Sequence, residues 1–189
     1  MKNIQEVVLL KCVPSRVDKM GMIYLYTGLG GGKTTNALGL ALRSIGHGHK
    51  VVIIQFLKWW TKTGEYKIRK KLAPYYEIYL FGRKGWQGLK NLDERDKKLA
   101  EKGLRFAKKV LKEKKPDLLV LDEINLAVHC KLLGVEDVIE LLSNIPKKTD
   151  VVLTGRYAPK KLIDVSDFVN EVVDIKHTKK VPTKEGIQY

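Results

Sequence analysis

The sequence lacks most of the features that would set it apart from an ordinary globular chain. Cysteine occurs only twice, as Cys12 and Cys130, far apart and in no C-x-x-C pattern. That excludes a disulfide framework and argues against a structural zinc site. Apolar runs such as Val51-Val-Ile-Ile54 and Leu118-Leu-Val-Leu121 are of strand length, too short to cross a bilayer. Met1 is followed by Lys2, Asn3 and Gln5 in place of an apolar signal core, so a cytoplasmic protein with no membrane partner is expected. Internal repeats and low-complexity tracts are absent. Acidic residues are also short in supply: 21 Asp and Glu stand against 36 Lys and Arg, a net charge of +15. Such an excess raises the question of nucleic acid. The lysines, however, run through 67–71, 108–115 and 147–148 and mostly alternate with apolar residues at helical spacing. That is the pattern of solvated helix faces, so nucleic acid is not the expected partner, and attraction of anionic substrates is a side benefit.

At 189 residues, 44% of them hydrophobic, the chain is long enough for one domain with a full core. Short apolar runs alternate with longer amphipathic segments, which predicts an α/β domain with a mainly parallel sheet. The strands are expected at 22–27, 50–56, 76–81, 117–122, 150–154 and 168–174, and the helices at 33–45, 64–72, 92–115, 135–144 and 159–165. Residues 1–21 fall outside the alternation and read as an N-terminal extension or docking segment. Residues 22–176 form the nucleotide-binding domain, and the polar residues 177–189 a tail or lid.

The most informative segment is Thr27-Gly-Leu-Gly-Gly-Gly-Lys-Thr-Thr35, placed between the apolar Met22–Tyr26 and the helical pattern that follows. A strand, a glycine loop and a helix in that order make a phosphate cradle. Backbone N–H groups converge in the loop, the helix dipole adds positive potential, Lys33 reaches phosphate oxygens and the Thr34 hydroxyl can ligate Mg²⁺. The common template G-x-x-x-x-G-K-[ST] wants glycine where Thr27 stands, so this loop is one residue short. Asp117-Leu-Leu-Val-Leu-Asp-Glu123 is an apolar strand ending in two carboxylates. Beside a glycine loop, such a strand end holds Mg²⁺ or its waters opposite Thr34. Successive strand residues point to opposite faces, so one of Asp122 and Glu123 is expected as direct ligand and the other behind it. Val151-Val-Leu-Thr-Gly-Arg156 ends a further strand, and ligands of parallel sheets bind outside the carboxyl ends of strands. Arg156 is therefore expected to face the same crevice as Lys33. His47 and His49, in a glycine turn, and His129 beside Cys130 read as bland positions, without the other ligands a zinc site needs.

These pieces in this order resemble the corrinoid adenosyltransferases of the ATP-dependent, P-loop type. The likeness rests on Tyr26–Thr35, Gly39–Gly48, Val52-Ile-Ile-Gln-Phe-Leu-Lys58, Gly64-Glu65, Val120–Asn125, Val152–Arg156, Lys176-His177 and the ending Lys184-Glu-Gly-Ile-Gln-Tyr189. It implies a P-loop NTPase fold, a RecA-like three-layer domain, acting as a homodimer. The implied reaction moves the 5′-deoxyadenosyl group of ATP to the reduced cobalt of a corrinoid and releases triphosphate, with a separate electron donor such as a flavoprotein. By the same resemblance Gly28, Leu29, Gly30, Gly31, Gly32, Lys33, Thr34 and Thr35 would cradle the triphosphate. Thr34 and Glu123, with Asp122, would hold Mg²⁺ or Mn²⁺. Arg43 and Arg156 would assist nucleotide binding, and Trp86 would lie near the lower face of the corrin. Members usually carry Asn in place of Leu29 and Lys in place of Gly31, so one phosphate-binding cation is missing here. Two other readings compete: a generic P-loop ATPase or nucleoside kinase, for which Gln55 is a mild candidate to orient water, and an ATP-gated nucleic-acid-binding module.

Overall fold

In a computed structural model the described residues are 21–85, 89–178 and 183–189. Six strands form one sheet: β1 (Ile23–Thr27), β2 (Val51–Phe56), β3 (Tyr76–Phe81), β4 (Leu118–Asp122), β5 (Asp150–Thr154) and β6 (Phe168–Glu171). Their order across the sheet is β3-β2-β4-β5-β1-β6, and every neighbouring pair is parallel. Parallel strands covered on both faces read as unbroken apolar runs, and β2 and β4 are buried along their whole length. The helices between them are α1 (Lys33–Gly46), α2 (Gly64–Lys67), α3 (Arg69–Leu72), α4 (Glu94–Glu113), α5 (Ile124–His129), α6 (Val135–Ser143) and α7 (Lys160–Val165).

Strand alternation sends neighbouring side chains into two separate cores. Val52, Ile54, Leu119 and Leu121 point into the larger one, with residues of α4, α5, α6 and α7. Val51, Ile53, Leu118 and Val120 point into the smaller one, against Ala37 and Ala41 of α1. The result is the expected three-layer α/β domain. Helix α4 starts at a capping box, in which Asp93 and Asp96 each accept a backbone N–H at the other's position. It lies so close to the sheet that a Cβ on Gly103 would stand 2.8 Å from the Phe56 ring.

Three elements differ from expectation. The helix predicted over 64–72 is two short helices, α2 and α3. The Arg69 guanidinium stacks on the Tyr66 ring and donates to the Tyr66 carbonyl at 2.7 Å, occupying an acceptor that a continuous helix would use. Strand β6 stops at Glu171 because its partner β1 gives way to the glycine loop after Thr27. Helix α5 was not anticipated; it begins directly after Glu123, whose φ of 63° turns the chain out of β4. Of the N-terminal segment 1–21 only Gly21 belongs to the described residues.

Candidate functional site

The carboxyl ends of β1, β2, β4 and β5 converge on one edge of the sheet, and the glycine loop crosses that edge. Two glycines of the loop have left-handed backbones, Gly28 at φ 98° and Gly32 at φ 104°. Gly28 and Gly30 are also forced by crowding. A Cβ on Gly28 would lie 2.4 Å from the Val172 carbonyl oxygen, and one on Gly30 would lie 2.8 Å from it. The crowding comes from residues 172–174, which follow β6 and bind the loop. Val172 donates to the Thr27 carbonyl and accepts from Gly30 N–H at 2.9 Å, and the Asp174 carboxylate accepts from Gly31 N–H at 3.0 Å. Gly31 itself faces open space, with no atom within 4 Å of where a Cβ would be, and Leu29 is exposed. Thr35 donates its hydroxyl proton back to the Gly32 carbonyl, closing the first turn of α1. Lys33 is buried and folds over the loop, its Nζ 2.5 Å from the Gly30 carbonyl oxygen. Burial, and then the charge of Arg156, hold its pKa below the usual lysine value.

Asp122 ends β4 with 1% exposure and a full set of donors. Its Oδ1 accepts from the hydroxyls of Thr34 at 2.9 Å and Thr154 at 2.6 Å. Its Oδ2 accepts from Gln55 Nε2 at 2.9 Å and Lys58 Nζ at 2.6 Å. Burial would raise its pKa, but Lys58 and the hydroxyl donors outweigh burial and hold the carboxyl below the ordinary value. Burial likewise opposes the charge of Lys58, and Asp122 outweighs it in turn, so the ammonium titrates above the usual lysine range. Glu123 is the complement of this saturated group. Its Oε2 is buried and has no hydrogen-bond partner, and burial followed by the Asp122 charge raises its pKa. Its backbone N–H donates to Thr154 Oγ1 at 3.0 Å, which fixes where β4 gives way to α5. Asn125, in the first turn of α5, donates to the carbonyls of Tyr26 and Gly155 and so ties α5 to the ends of β1 and β5.

The structure therefore brings Lys33, Thr34, Asp122, Glu123 and Arg156 to one edge. Arg156 is exposed after β5 and interacts electrostatically with both Lys33 and Glu123. Arg43 is not brought there: it lies exposed in the last turn of α1, about 15 Å along the helix axis from Lys33. Trp86 lies outside the described residues. Gln55 is spoken for by Asp122 and buried. Sequence reasoning gave no role to Lys58, Thr154, Asn125 or Asp174. For Thr154 a signal exists, since it closes the same apolar run that places Arg156 at the crevice.

A divalent cation finds suitable donors here. The orphaned Glu123 oxygen and the lone pairs of the Thr34 hydroxyl, whose proton goes to Asp122, are hard oxygens of the kind Mg²⁺ prefers. Among the described residues no group of three or more His, Cys, Asp or Glu could hold a metal by itself. That suits a cation that takes most of its ligands from phosphate and water.

A parallel sheet with a glycine loop after β1, an acidic pair at the end of β4 and β5 between those two strands defines a P-loop nucleotide-binding domain of the RecA-like kind. The sequence model of the ATP:corrinoid adenosyltransferases BtuR/CobO/CobP matches residues 19–189, and the chain belongs to that family. A corrinoid adenosyltransferase of Sinorhizobium sp is 35% identical over 180 residues, covering 94% of this chain and 82% of the relative. That of Escherichia coli K12 is 32% identical over 174 residues, covering 91% of this chain and 87% of the relative. Among solved structures, the flagellar accessory protein FlaH of Methanocaldococcus jannaschii aligns with a TM-score of 0.50 at 15% identity. It covers 78% of this chain and 66% of that one, just under two thirds, and the likeness is one of fold alone.

Proposed function

We propose that the protein transfers the 5′-deoxyadenosyl group of ATP to the cobalt of a reduced corrinoid. The C5′–O5′ bond breaks, its electron pair leaves with triphosphate, and a pair from the reduced cobalt forms the new bond to C5′. In this reaction the substrate supplies the nucleophile. The protein's part is to position C5′ and to stabilise charge on the departing triphosphate. The observation that carries this reading is the glycine loop with buried Lys33 folded over it, facing a strand end where Glu123 Oε2 is buried without a partner and Asp122 holds the Thr34 hydroxyl, a set suited to a polyphosphate with its counter-ion.

In this reading Lys33 leaves the Gly30 carbonyl for a phosphate oxygen, and the N–H groups at the start of α1 complete the cradle. Arg156 adds a second cation at the mouth. Thr34 and Glu123 would hold Mg²⁺ or Mn²⁺, with Asp122 orienting the Thr34 hydroxyl from behind. When bound, the divalent ion neutralises charge on the triphosphate oxygens. A second copy of the chain belongs to the same proposal. Exposed Phe168 and Val169 on the edge strand β6, with Val173 and Ile175 beyond it, offer an apolar margin for a partner.

The test is to combine protein, ATP, Mg²⁺ and chemically reduced cobalamin and to follow the corrin absorbance. An adenosylated corrinoid and triphosphate in equal amounts are expected. Release of phosphate or diphosphate in place of triphosphate would overturn the reading.

A further inference from the structure

The ammonium of Lys58 stands in the place a divalent cation needs. Its Nζ lies 3.1 Å from Thr34 Oγ1 and 2.6 Å from Asp122 Oδ2. Thr34 gives its own proton to Asp122 Oδ1, so Lys58 takes up one of the hydroxyl lone pairs that remain for a metal. Asp122 accepts four protein donors and has no acceptor capacity left over.

The placement is built into the backbone. Leu57 has φ 60°, a left-handed conformation uncommon for a branched residue, and it turns the chain sharply at the end of β2. Gly82, just after β3, packs against that turn. A Cβ there would lie 2.5 Å from both Leu57 C and Lys58 N. Ordinary side chains could not bring the two segments so close, and the close approach fixes where the Lys58 stem begins.

We propose that Lys58 is an internal counter-ion that occupies the metal position while the site is without nucleotide and withdraws to the triphosphate when nucleotide and metal arrive together. The inference rests on the divalent-ion part of the proposed function. Two cations at one hydroxyl repel strongly in a partly dry pocket. The triphosphate offers Lys58 other acceptors, and its long stem lets the ammonium move while the backbone stays. Metal binding is thereby made dependent on nucleotide. Lys58 acts here as a positioning and selectivity residue. It holds the Asp122 oxygens in place, and it keeps stray divalent ions out of the free enzyme.

Mn²⁺ binding, read from loss of the free-ion electron paramagnetic resonance signal, tests this without corrinoid or turnover. It is measured on the full chain, with and without ATP, for the parent, Lys58→Met and Lys58→Arg. In the absence of ATP the parent and Lys58→Arg should bind Mn²⁺ weakly, and Lys58→Met should bind it about tenfold more tightly or better, because the competing charge is gone. Circular dichroism and a thermal melt establish that each variant is folded, and Lys58→Arg carries the comparison if the Met variant is not: Mn²⁺ binding by nucleotide-free Lys58→Arg tighter than the parent's would overturn the inference. Equal affinity of the parent and a folded Lys58→Met without ATP, with normal binding in its presence, would overturn the role of Lys58 alone. Failure of the parent to bind Mn²⁺ even with ATP would remove the metal site, and this inference with it.

Discussion

Glu123 and Asp122 are neighbours in sequence with opposite electrostatics, and each makes a distinct prediction. Glu123 has a raised pKa, so its contribution to stability is present below its unfolded value and is lost as pH rises through the higher folded one. Its charged form is disfavoured by burial and by Asp122, and its Oε2 has no hydrogen-bond donor to offset that. Glu123→Gln should therefore stabilise the protein by roughly 1 kcal/mol at pH 7 in a denaturant melt while cutting metal-dependent adenosyl transfer at least about 100-fold. Asp122 has a depressed pKa, so its contribution is present above the unfolded value near 4 and is lost as pH falls through the folded one. Asp122→Asn should cost roughly 3 kcal/mol at pH 7, because Lys58 loses its buried counter-charge and one of the two accepting oxygens becomes an NH₂ group that faces donors, and the deficit should shrink as the parent is titrated below about pH 4. At Gly31 the open space around the missing Cβ admits the lysine that the family resemblance leads one to expect. Gly31→Lys should raise kcat/KM for ATP about tenfold in the corrin absorbance assay. Lys33, Thr34, Asp122 and Glu123 were legible in the sequence because spacing alone marks them. Lys58 and Asp174 were not, since their partners Asp122 and Gly31 lie 64 and 143 residues away. No local pattern announces a contact made only by closing the fold.

Among elements, the strand ends carry what the strands themselves do not. Leu57 after β2, Glu123 after β4 and Tyr157 shortly after β5 all have positive φ without being glycine, and all lie on the edge that holds the site. Backbone strain gathers at functional edges when the surrounding packing over-determines it. Gly82 is one point where that packing is tight. Gly82→Ala should destabilise the protein by about 2 kcal/mol or more and weaken nucleotide binding by moving Lys58, both measurable by thermal melt with and without ATP. The strands were readable as apolar runs, and α1 and α4 as long periodic segments with clear ends. The short α5 was not, because its six residues continue the apolar character of β4 with no cap signal other than the backbone of Glu123. The break between α2 and α3 was hidden for a different reason. It depends on Arg69 turning back onto Tyr66, which periodicity does not register.

At the scale of the whole molecule, residues 183–189 return to the segment after β2. Tyr189 packs on Trp60 with ring centroids 4.8 Å apart, and Glu185 pairs with Lys67 at 3.0 Å between exposed side chains. One ring pair and one solvated ion pair contribute little, so deleting residues 183–189 should lower stability by less than about 1 kcal/mol in a denaturant melt. A larger effect on the affinity for ATP than on stability would assign the tail to the site. The apolar margin of β6 gives a test of the proposed second copy: if the chain pairs there, Val169→Lys should shift it toward the monomer in sedimentation. The sheet order also bears on synthesis. Strand β1 is made early, yet it pairs only with β5 and β6, which are made last, and the glycine loop gains its bonds to Val172 and Asp174 later still. A nascent chain on the ribosome thus carries the ATP-binding motif long before its partners exist to hold it in shape, and it stays unable to grip nucleotide until residues 172–174 have emerged.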